Sequence, residues 1–219
     1  MRADCTDIAP IEISLLGRVT TRAPGCEPRT WSPNRTTQLL ALLALRPRES
    51  VSRVWATEQL WTDEAGDLPA VASRLRKELK EKDLEQVTLP TKGALELKLP
   101  EDTVLDCQVA MRNVGIVKRG VEDSELEQMW VTLRSALSVL GLTFLEGCND
   151  TPFLGDRRRQ FEELRYQAQL ESCKLAVRLG DHERRAEARV DGEAAVRKYP
   201  TFEESHLPLI QLLIDDGEF

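Results

Sequence analysis

The side chains in this sequence that could do chemistry are mainly basic, and four of them fall within one short stretch. They are Arg74, Arg76, Lys77 and Lys80. Guanidinium and ammonium groups neutralise the phosphates of nucleic acids, and such contacts supply most of the sequence-independent affinity of DNA-binding proteins. A group of this kind can also form the ordinary solvated face of a surface helix. The elements around the stretch must decide between these two interpretations.

Two further places could add phosphate contacts. Arg35, Thr36 and Thr37 lie near the predicted start of a helix, where backbone N–H groups and hydroxyls can donate to a phosphate. Plain helix surface is the alternative for these three residues. Lys92 lies in a predicted turn between two extended segments, where it could reach a phosphate or only solvent.

Alternation, caps and turn residues predict the elements of residues 11–100. Two predicted strands cover 11–16 and 18–21, and a third ends at Trp31. Predicted helices begin at Ser32–Pro33, Ser52 and Asp67, and a turn over 63–67 precedes the last of them. A predicted hairpin joins 87–89 to 95–99. The third helix, Leu68–Lys82, carries the basic stretch. Its apolar residues recur at helical spacing: Leu68, Val71, Ala72, Leu75 and Leu79.

This order of elements is typical of a winged helix-turn-helix, an α+β fold whose third helix normally reads DNA and whose hairpin is the wing. The sequence therefore predicts a flexible tail over 1–10 and a winged-helix domain over 11–100. It favours the DNA-binding interpretation of the basic third helix and leaves the solvated surface helix as the alternative.

Residues 101–219 are predicted to be helical throughout. Four predicted helices cover 104–117, 153–179, 182–199 and 203–214. A further helix begins at a Ser124–Glu127 capping box and runs through Leu140, and an irregular segment over 141–152 follows it. Residues 174–181 resemble 211–218 at an offset of 37, close to the tetratricopeptide period of about 34 residues. We expect a tetratricopeptide-like helical domain whose last repeat is incomplete. The basic run 157–159 is interpreted as a solvated helix face, with a second DNA contact as the alternative.

Composition and charge restrict the class of protein. The formal net charge is −7, but residues 1–100 hold 15 basic and 14 acidic side chains whereas 101–219 hold 15 and 23. Overall acidity argues against indiscriminate nucleic-acid binding and still allows a local basic patch. No apolar run approaches the roughly 20 residues of a membrane span, and the polar N-terminus is no signal peptide. A cytoplasmic protein is expected.

The sequence does not predict an enzyme or a cofactor. Its five cysteines form no CxxC pair and it has two histidines, so zinc spacing is absent and reduced thiols are expected. It has no Gly-rich phosphate loop followed by Lys-Ser/Thr, no GxSxG and no HExxH.

Several short segments occur in an order that resembles a known family. They are Leu15-Leu16-Gly17, Arg35 to Leu45, Val51-Ser52-Arg53, Leu60-Trp61 and Ser73-Arg74-Leu75-Arg76-Lys77. The sequence is similar to the antibiotic-regulatory-protein (SARP) family of bacterial transcriptional activators. These proteins join a response-regulator-type winged helix to a helical bacterial transcriptional activator domain. Three departures concern the DNA-contacting part. The segment before the third helix is shorter, Ala94-Leu95-Glu96-Leu97 replaces the Gly-Tyr-Arg-Leu common in the wing, and several positions equivalent to polar groove contacts are missing.

The resemblance implies an activator-type regulator that binds promoter duplex through helix 68–82 and the wing. Its helical domain would contact RNA polymerase or a second copy of the chain. The shortened segment and the acidic wing leave one alternative open, a protein-interaction module that keeps the fold and has lost DNA binding.

Overall fold

The computed structural model describes residues 9–62, 66–120, 122–198 and 203–215. The chain forms two compact units, one of residues up to Cys107 together with Leu142–Arg158, the other of Gln108–Gly141 and the residues from Arg159 onward. The first unit is a small sheet with three helices, and the second is entirely helical among its described residues, which confirms the predicted fold class. Residues 1–8 of the predicted tail, residues 63–65 of the predicted turn and residues 216–218 at the end of the second repeat lie outside the described residues.

The sheet of the first unit has four short strands in the order β3-β2-β1-β4. They are β1 (Glu12–Ser14), β2 (Thr20–Arg22), β3 (Arg29–Thr30) and β4 (Val104–Leu105). The first three lie at the predicted strand segments and form an antiparallel meander, and β4 lies parallel to β1. The prediction of a helix starting at Val104 is wrong, because Val104 N–H donates to the Ile11 carbonyl at 2.8 Å and the helix begins only at Asp106.

Three helices of the first unit lie between β3 and β4 in the chain: α1 (Arg35–Ala44), α2 (Arg53–Leu60) and α3 (Leu68–Glu81). Helix α1 is almost entirely apolar after its first turn and is buried on every side, and it packs against both α2 and α3. The predicted cap at Ser32–Pro33 is wrong. Asn34 caps α1, because its side chain accepts the N–H groups of Thr36 and Thr37. The predicted Ser52 and Asp67 caps are confirmed.

A segment distant in sequence completes the first unit. The predicted irregular segment over 141–152 is confirmed, and part of it pairs with the chain that follows β1. Gly17 N–H donates to the Thr143 carbonyl at 2.8 Å, and Leu145 N–H donates to the Leu15 carbonyl at 2.9 Å. Phe144 is 2% exposed and meets Phe153 edge to face. Residues 142–158 therefore belong to the same compact unit as helix α3.

The second unit consists of packed helices. They are α4 (Asp106–Lys118), α5 (Leu126–Leu140), α6 (Pro152–Leu179), α7 (His182–Lys198) and α8 (Glu203–Asp215), of which α4 and α6 begin in residues assigned to the first unit. The Ser124–Glu127 capping box is wrong, because Asp123–Glu125 form a 3₁₀ turn and no side chain caps α5.

Ionic and close apolar contacts join the helices of the second unit. The Arg134 guanidinium on α5 pairs with Asp191 on α7, which also accepts a hydrogen bond from the Ser172 hydroxyl on α6 at 3.0 Å. Burial raises the pKa of Asp191, and Arg134 and Ser172 act in the opposite direction. A Cβ at Gly192 would lie 2.8 Å from the Cys173 sulfur and 3.0 Å from Leu209, so α6, α7 and α8 approach one another closely at this glycine.

None of the helices in the described part of the chain is both long and apolar enough to cross a membrane.

Candidate nucleic-acid interface

Helix α3 forms where the sequence predicts it and presents the basic stretch to solvent. The Asp67 carboxylate accepts the Ala70 N–H at 2.9 Å, and Pro69 lies in the first turn, where its missing donor costs no hydrogen bond. The five apolar residues of the predicted face are all buried. Burial of that face leaves Ser73, Arg74 and Lys80 exposed on the opposite side of the helix.

The four cations predicted on α3 have different environments. The Lys77 ammonium forms an ion pair with Glu81 at 3.5 Å, one helical turn away. Arg76 is half-buried, and its Nε donates to the Leu89 carbonyl at 3.2 Å. Within the described part of the chain, Arg74 and Lys80 form neither a hydrogen bond nor an ion pair. These two side chains are therefore the cations of α3 most available to a phosphate.

Acidic groups lie among these cations. Burial raises the pKa of Glu78, although the nearby Lys82 and Arg74 charges favour its ionised form. The Lys82 ammonium is already engaged, since it donates to the Thr30 carbonyl at 2.8 Å and lies 5.1 Å from the centre of the Trp31 ring. The surface of α3 is therefore mixed in charge, with its free positive groups confined to two positions.

The start of α1 does not offer the donors that the sequence suggests. Thr36 and Thr37 are 2% and 0% exposed. Both of their N–H groups donate to the Asn34 side chain, and the Thr37 hydroxyl donates to the Ser32 carbonyl at 2.6 Å. These N–H groups and the Thr37 hydroxyl are used to build the helix cap, so the structure does not leave them free for the expected phosphate contact.

Arg35 lies beside the segment that leads into α3. Its guanidinium donates to the Gln38 side chain at 2.7 Å and lies 5.8 Å from the centre of the Trp61 ring. The Trp61 ring packs directly on Gly66, where a Cβ would lie 2.1 Å from a ring atom. The structure thus places Arg35 close to the residues that precede the basic helix, which the sequence separates by about thirty positions.

The two predicted wing segments, 87–89 and 95–99, do return antiparallel to each other, but they form no regular strands. A single pair, Thr88 with Lys98, joins them through two backbone hydrogen bonds of 3.1 and 2.9 Å. Leu95 pairs instead with Val51, just before α2. Lys92 is exposed in the intervening loop, and Gly93 adopts a left-handed conformation with φ of +78°. The wing is thus a loop whose two arms are joined by the Thr88–Lys98 pair and whose returning arm is bonded to Val51, just before α2.

One basic residue has a structural role that the sequence did not reveal. Arg158, in the run interpreted as a solvated face, donates to the carbonyls of Phe144, Leu145 and Cys148 at 3.2–3.3 Å and pairs with Asp150. The position of these carbonyls depends on a loop that folds back onto the start of α6. No local pattern of residue types signals such a contact.

No group of three or more histidine, cysteine, aspartate or glutamate side chains among the described residues could hold a metal ion. The exposed side chains Ser73, Arg74, Lys77 and Lys80 of α3 are ionic and hydrogen-bonding groups of the kinds that contact phosphate and base edges.

Comparison with known proteins concerns the helical domain and the overall fold. Residues 105–218 match the bacterial transcriptional activator domain family. No curated protein matched the sequence. Among solved structures, the fold is similar to that of Mycobacterium tuberculosis EmbR, solved in complex with a low-affinity phosphopeptide. The TM-score is 0.73 and the identity 18%; the similarity covers 94% of this chain and 55% of that one, so this chain spans about half the length of the EmbR chain.

The family match covers more than half of the sequence and confirms the resemblance to bacterial transcriptional activators. The chain belongs to the bacterial transcriptional activator domain family.

Proposed function

We propose that this chain is a DNA-binding transcriptional regulator of the activator type, which contacts promoter duplex through helix α3 and the loop that carries Lys92. The observation that carries the proposal is the pair Arg74 and Lys80. Both are exposed on the third helix of a winged helix-turn-helix, and neither has an ion-pair partner among the described residues. Cations left unpaired on that helix are suited to phosphate binding, because no internal ion pair must break first.

Affinity would come mainly from phosphates. Arg74, Lys80 and Lys92 would supply the principal contacts, and Lys77 would add one when its exposed ion pair with Glu81 opens. Arg35 lies near the residues that precede α3, so it would add a phosphate contact near the N-terminal end of that helix. Because few cations are free, the predicted binding is modest at physiological salt.

Base recognition would be limited. In the first two turns of α3, the exposed residues are Pro69, Ser73 and Arg74. Proline has no side-chain donor, serine bonds to several bases, and arginine prefers the O6 and N7 acceptors of guanine. Because Arg74 is assigned to a phosphate, Ser73 is the residue we assign to direct base reading.

The helical unit would bind a protein. We expect RNA polymerase or a second copy of the chain as its partner, in the cytoplasm. Exposed apolar side chains on α8, namely Leu207, Ile210 and Ile214, are consistent with a protein-binding face.

The mixed charge of α3 supports a second candidate, a protein-interaction module without DNA binding. The observation that favours it is the engagement of Lys77, Arg76 and Lys82 by groups of the same unit. The two candidates differ in one measurable property, affinity for duplex DNA.

Fluorescence anisotropy with labelled genomic duplex fragments at low salt tests the proposal. We expect saturable binding that the R74A/K80A variant weakens roughly tenfold. The R18A/R22A variant is the matched control, since it removes two exposed cations from the chain around the sheet and should bind normally. Equal affinities of the two variants would contradict the assigned surface, and absence of duplex binding by the wild type would favour the interaction module.

A further inference from the structure

The loop that carries Lys92 is held by the helices and hardly by itself. Between the Thr88–Lys98 pair at its base and its tip, the only backbone pairing among the described residues is the one from Leu95 to Val51, with hydrogen bonds of 2.7 and 2.8 Å. This pairing anchors the returning arm to the residue before the α2 cap. The tip of the loop receives no such backbone support.

Two arginines supply the remaining support. On α2, the Arg53 Nε donates to the Gly93 carbonyl at 2.8 Å, and its Nη2 donates to the Thr91 carbonyl at 3.2 Å. On α3, the Arg76 Nε donates to the Leu89 carbonyl at 3.2 Å. One guanidinium therefore bonds the residues on both sides of Lys92, while the other bonds the arm that leads to it.

We propose that Arg53 is a positioning residue for DNA binding, which fixes the loop tip so that Lys92 is presented to a phosphate alongside Arg74 and Lys80 of α3. This inference rests on the proposed function, since it concerns how the same surface is assembled. Arg53 itself would not contact DNA, because its Nε and Nη2 donors are used within the protein.

The chemistry of the side chain explains why arginine suits this place. A guanidinium is planar and carries five N–H donors in a fixed fork, so a single side chain can bond two carbonyls two residues apart and hold their separation. A lysine keeps the charge but has a flexible stem and a compact ammonium, and it does not impose the same geometry. Between the two carbonyls, Gly93 in its left-handed conformation turns the chain sharply.

The test is a double-mutant cycle read through the salt dependence of duplex binding. The variants of the full chain are R53A, K92A, R53A/K92A and R53K, with R18A, at an exposed arginine of the first unit, as the control for the loss of one cation. K92A should reduce the slope of log K against log salt by about 0.9, the value for one phosphate contact on duplex DNA. R53A should reduce it by the same amount, and the double variant should lose about 0.9 rather than about 1.8.

R53K separates positioning from direct contact. If Arg53 positions the loop, R53K should resemble R53A, because charge is kept and the fork is lost. Hydrogen exchange of residues 90–95 in the absence of DNA should be faster in both Arg53 variants and unchanged in K92A. A thermal unfolding scan of each variant verifies that the binding differences are measured on folded protein.

Additive losses in R53A/K92A, full rescue by R53K or unchanged exchange in R53A would each overturn the positioning role. These outcomes are distinct from failure of the proposed function. If the wild-type chain shows no salt-dependent duplex binding, both proposals fall together, whereas weaker binding of R74A/K80A with additive Arg53 and Lys92 effects would overturn the positioning role alone.

Discussion

The Asp106 carboxylate accepts the backbone N–H of Leu15 at 2.9 Å, although 91 residues separate the two in sequence. Its second oxygen accepts the N–H of Leu16 at 3.0 Å, and the Cys107 N–H donates to the first at 2.7 Å. One side chain thus satisfies donors at the end of β1 and at the first turn of α4. The contact fixes the start of α4 to the sheet of the first unit.

Removal of this carboxylate should destabilise the protein. Leu15 and Leu16 are almost completely buried, so D106A would leave two buried N–H groups without an acceptor. We expect a loss of about 2–4 kcal/mol in the free energy of unfolding, from the cost of unsatisfied buried donors. D102A is a matched control, because Asp102 is an exposed aspartate in the preceding turn, and its effect should stay within about 0.5 kcal/mol. Equal midpoints in urea for the two variants would refute the role of Asp106.

The stability of the protein should depend on the forked guanidinium of Arg158 and not only on its charge. R158K retains the charge but cannot donate at once to the carbonyls of Phe144, Leu145 and Cys148. We expect about 2 kcal/mol of destabilisation by denaturant unfolding, because partly buried carbonyls lose their donors. R18K, at an exposed arginine of the same unit, should leave stability unchanged. A wild-type unfolding midpoint for R158K would show that the guanidinium contributes no more than its charge.

Thr37 should matter for folding and not for DNA. T37V keeps the shape of the buried side chain and removes the hydroxyl that donates to the Ser32 carbonyl. The expected loss is about 1–2 kcal/mol in stability, with unchanged duplex affinity in the folded protein. Calorimetry and anisotropy on the same sample measure the two quantities. Weaker duplex binding by fully folded T37V would contradict this prediction and indicate that Thr37 contributes to DNA binding.

Cys173 should resist alkylation in the folded protein. Burial and, to a smaller extent, the nearby Asp191 carboxylate raise the pKa of its thiol to about 12, and the thiol donates to the Ala188 carbonyl at 3.3 Å. Since the thiolate is the reactive species, iodoacetamide at about pH 8 should label Cys173 far more slowly than the half-buried Cys26. Peptide mass mapping gives both rates, and labelling in denaturant provides the control. Comparable rates in the native protein would contradict this burial.

Local patterns were sufficient to predict α3. Its apolar spacing, the Asp67 cap and the first-turn Pro69 all depend on residues within one helix, and each is confirmed. The start of α1 was misplaced because Ser32–Pro33 and Asn34 are both good starting signals. The structure selects Asn34, whose oxygen meets the N–H groups of Thr36 and Thr37, and this choice also buries the two threonines.

Contacts between distant segments could not be predicted in this way. Val104–Leu105 form a strand only because β1 lies beside them, and residues 142–158 join the first unit through pairing with the chain after β1. Arg53 and Arg158 likewise bond to carbonyls 38–40 and 10–14 residues away. Such partners depend on the folded path of the chain, and residue types alone do not encode them.

The salt dependence of duplex binding tests the central claim most directly. With three to five phosphate contacts per bound chain, the slope of log K against log salt should lie between about −2.7 and −4.5. The R74A/K80A variant should have a slope shallower by about 1.8, whereas R18A/R22A should keep the wild-type slope. A slope that R74A/K80A leaves unchanged, or a wild-type chain without measurable duplex affinity at low salt, would contradict the claim that α3 is the DNA-contacting surface.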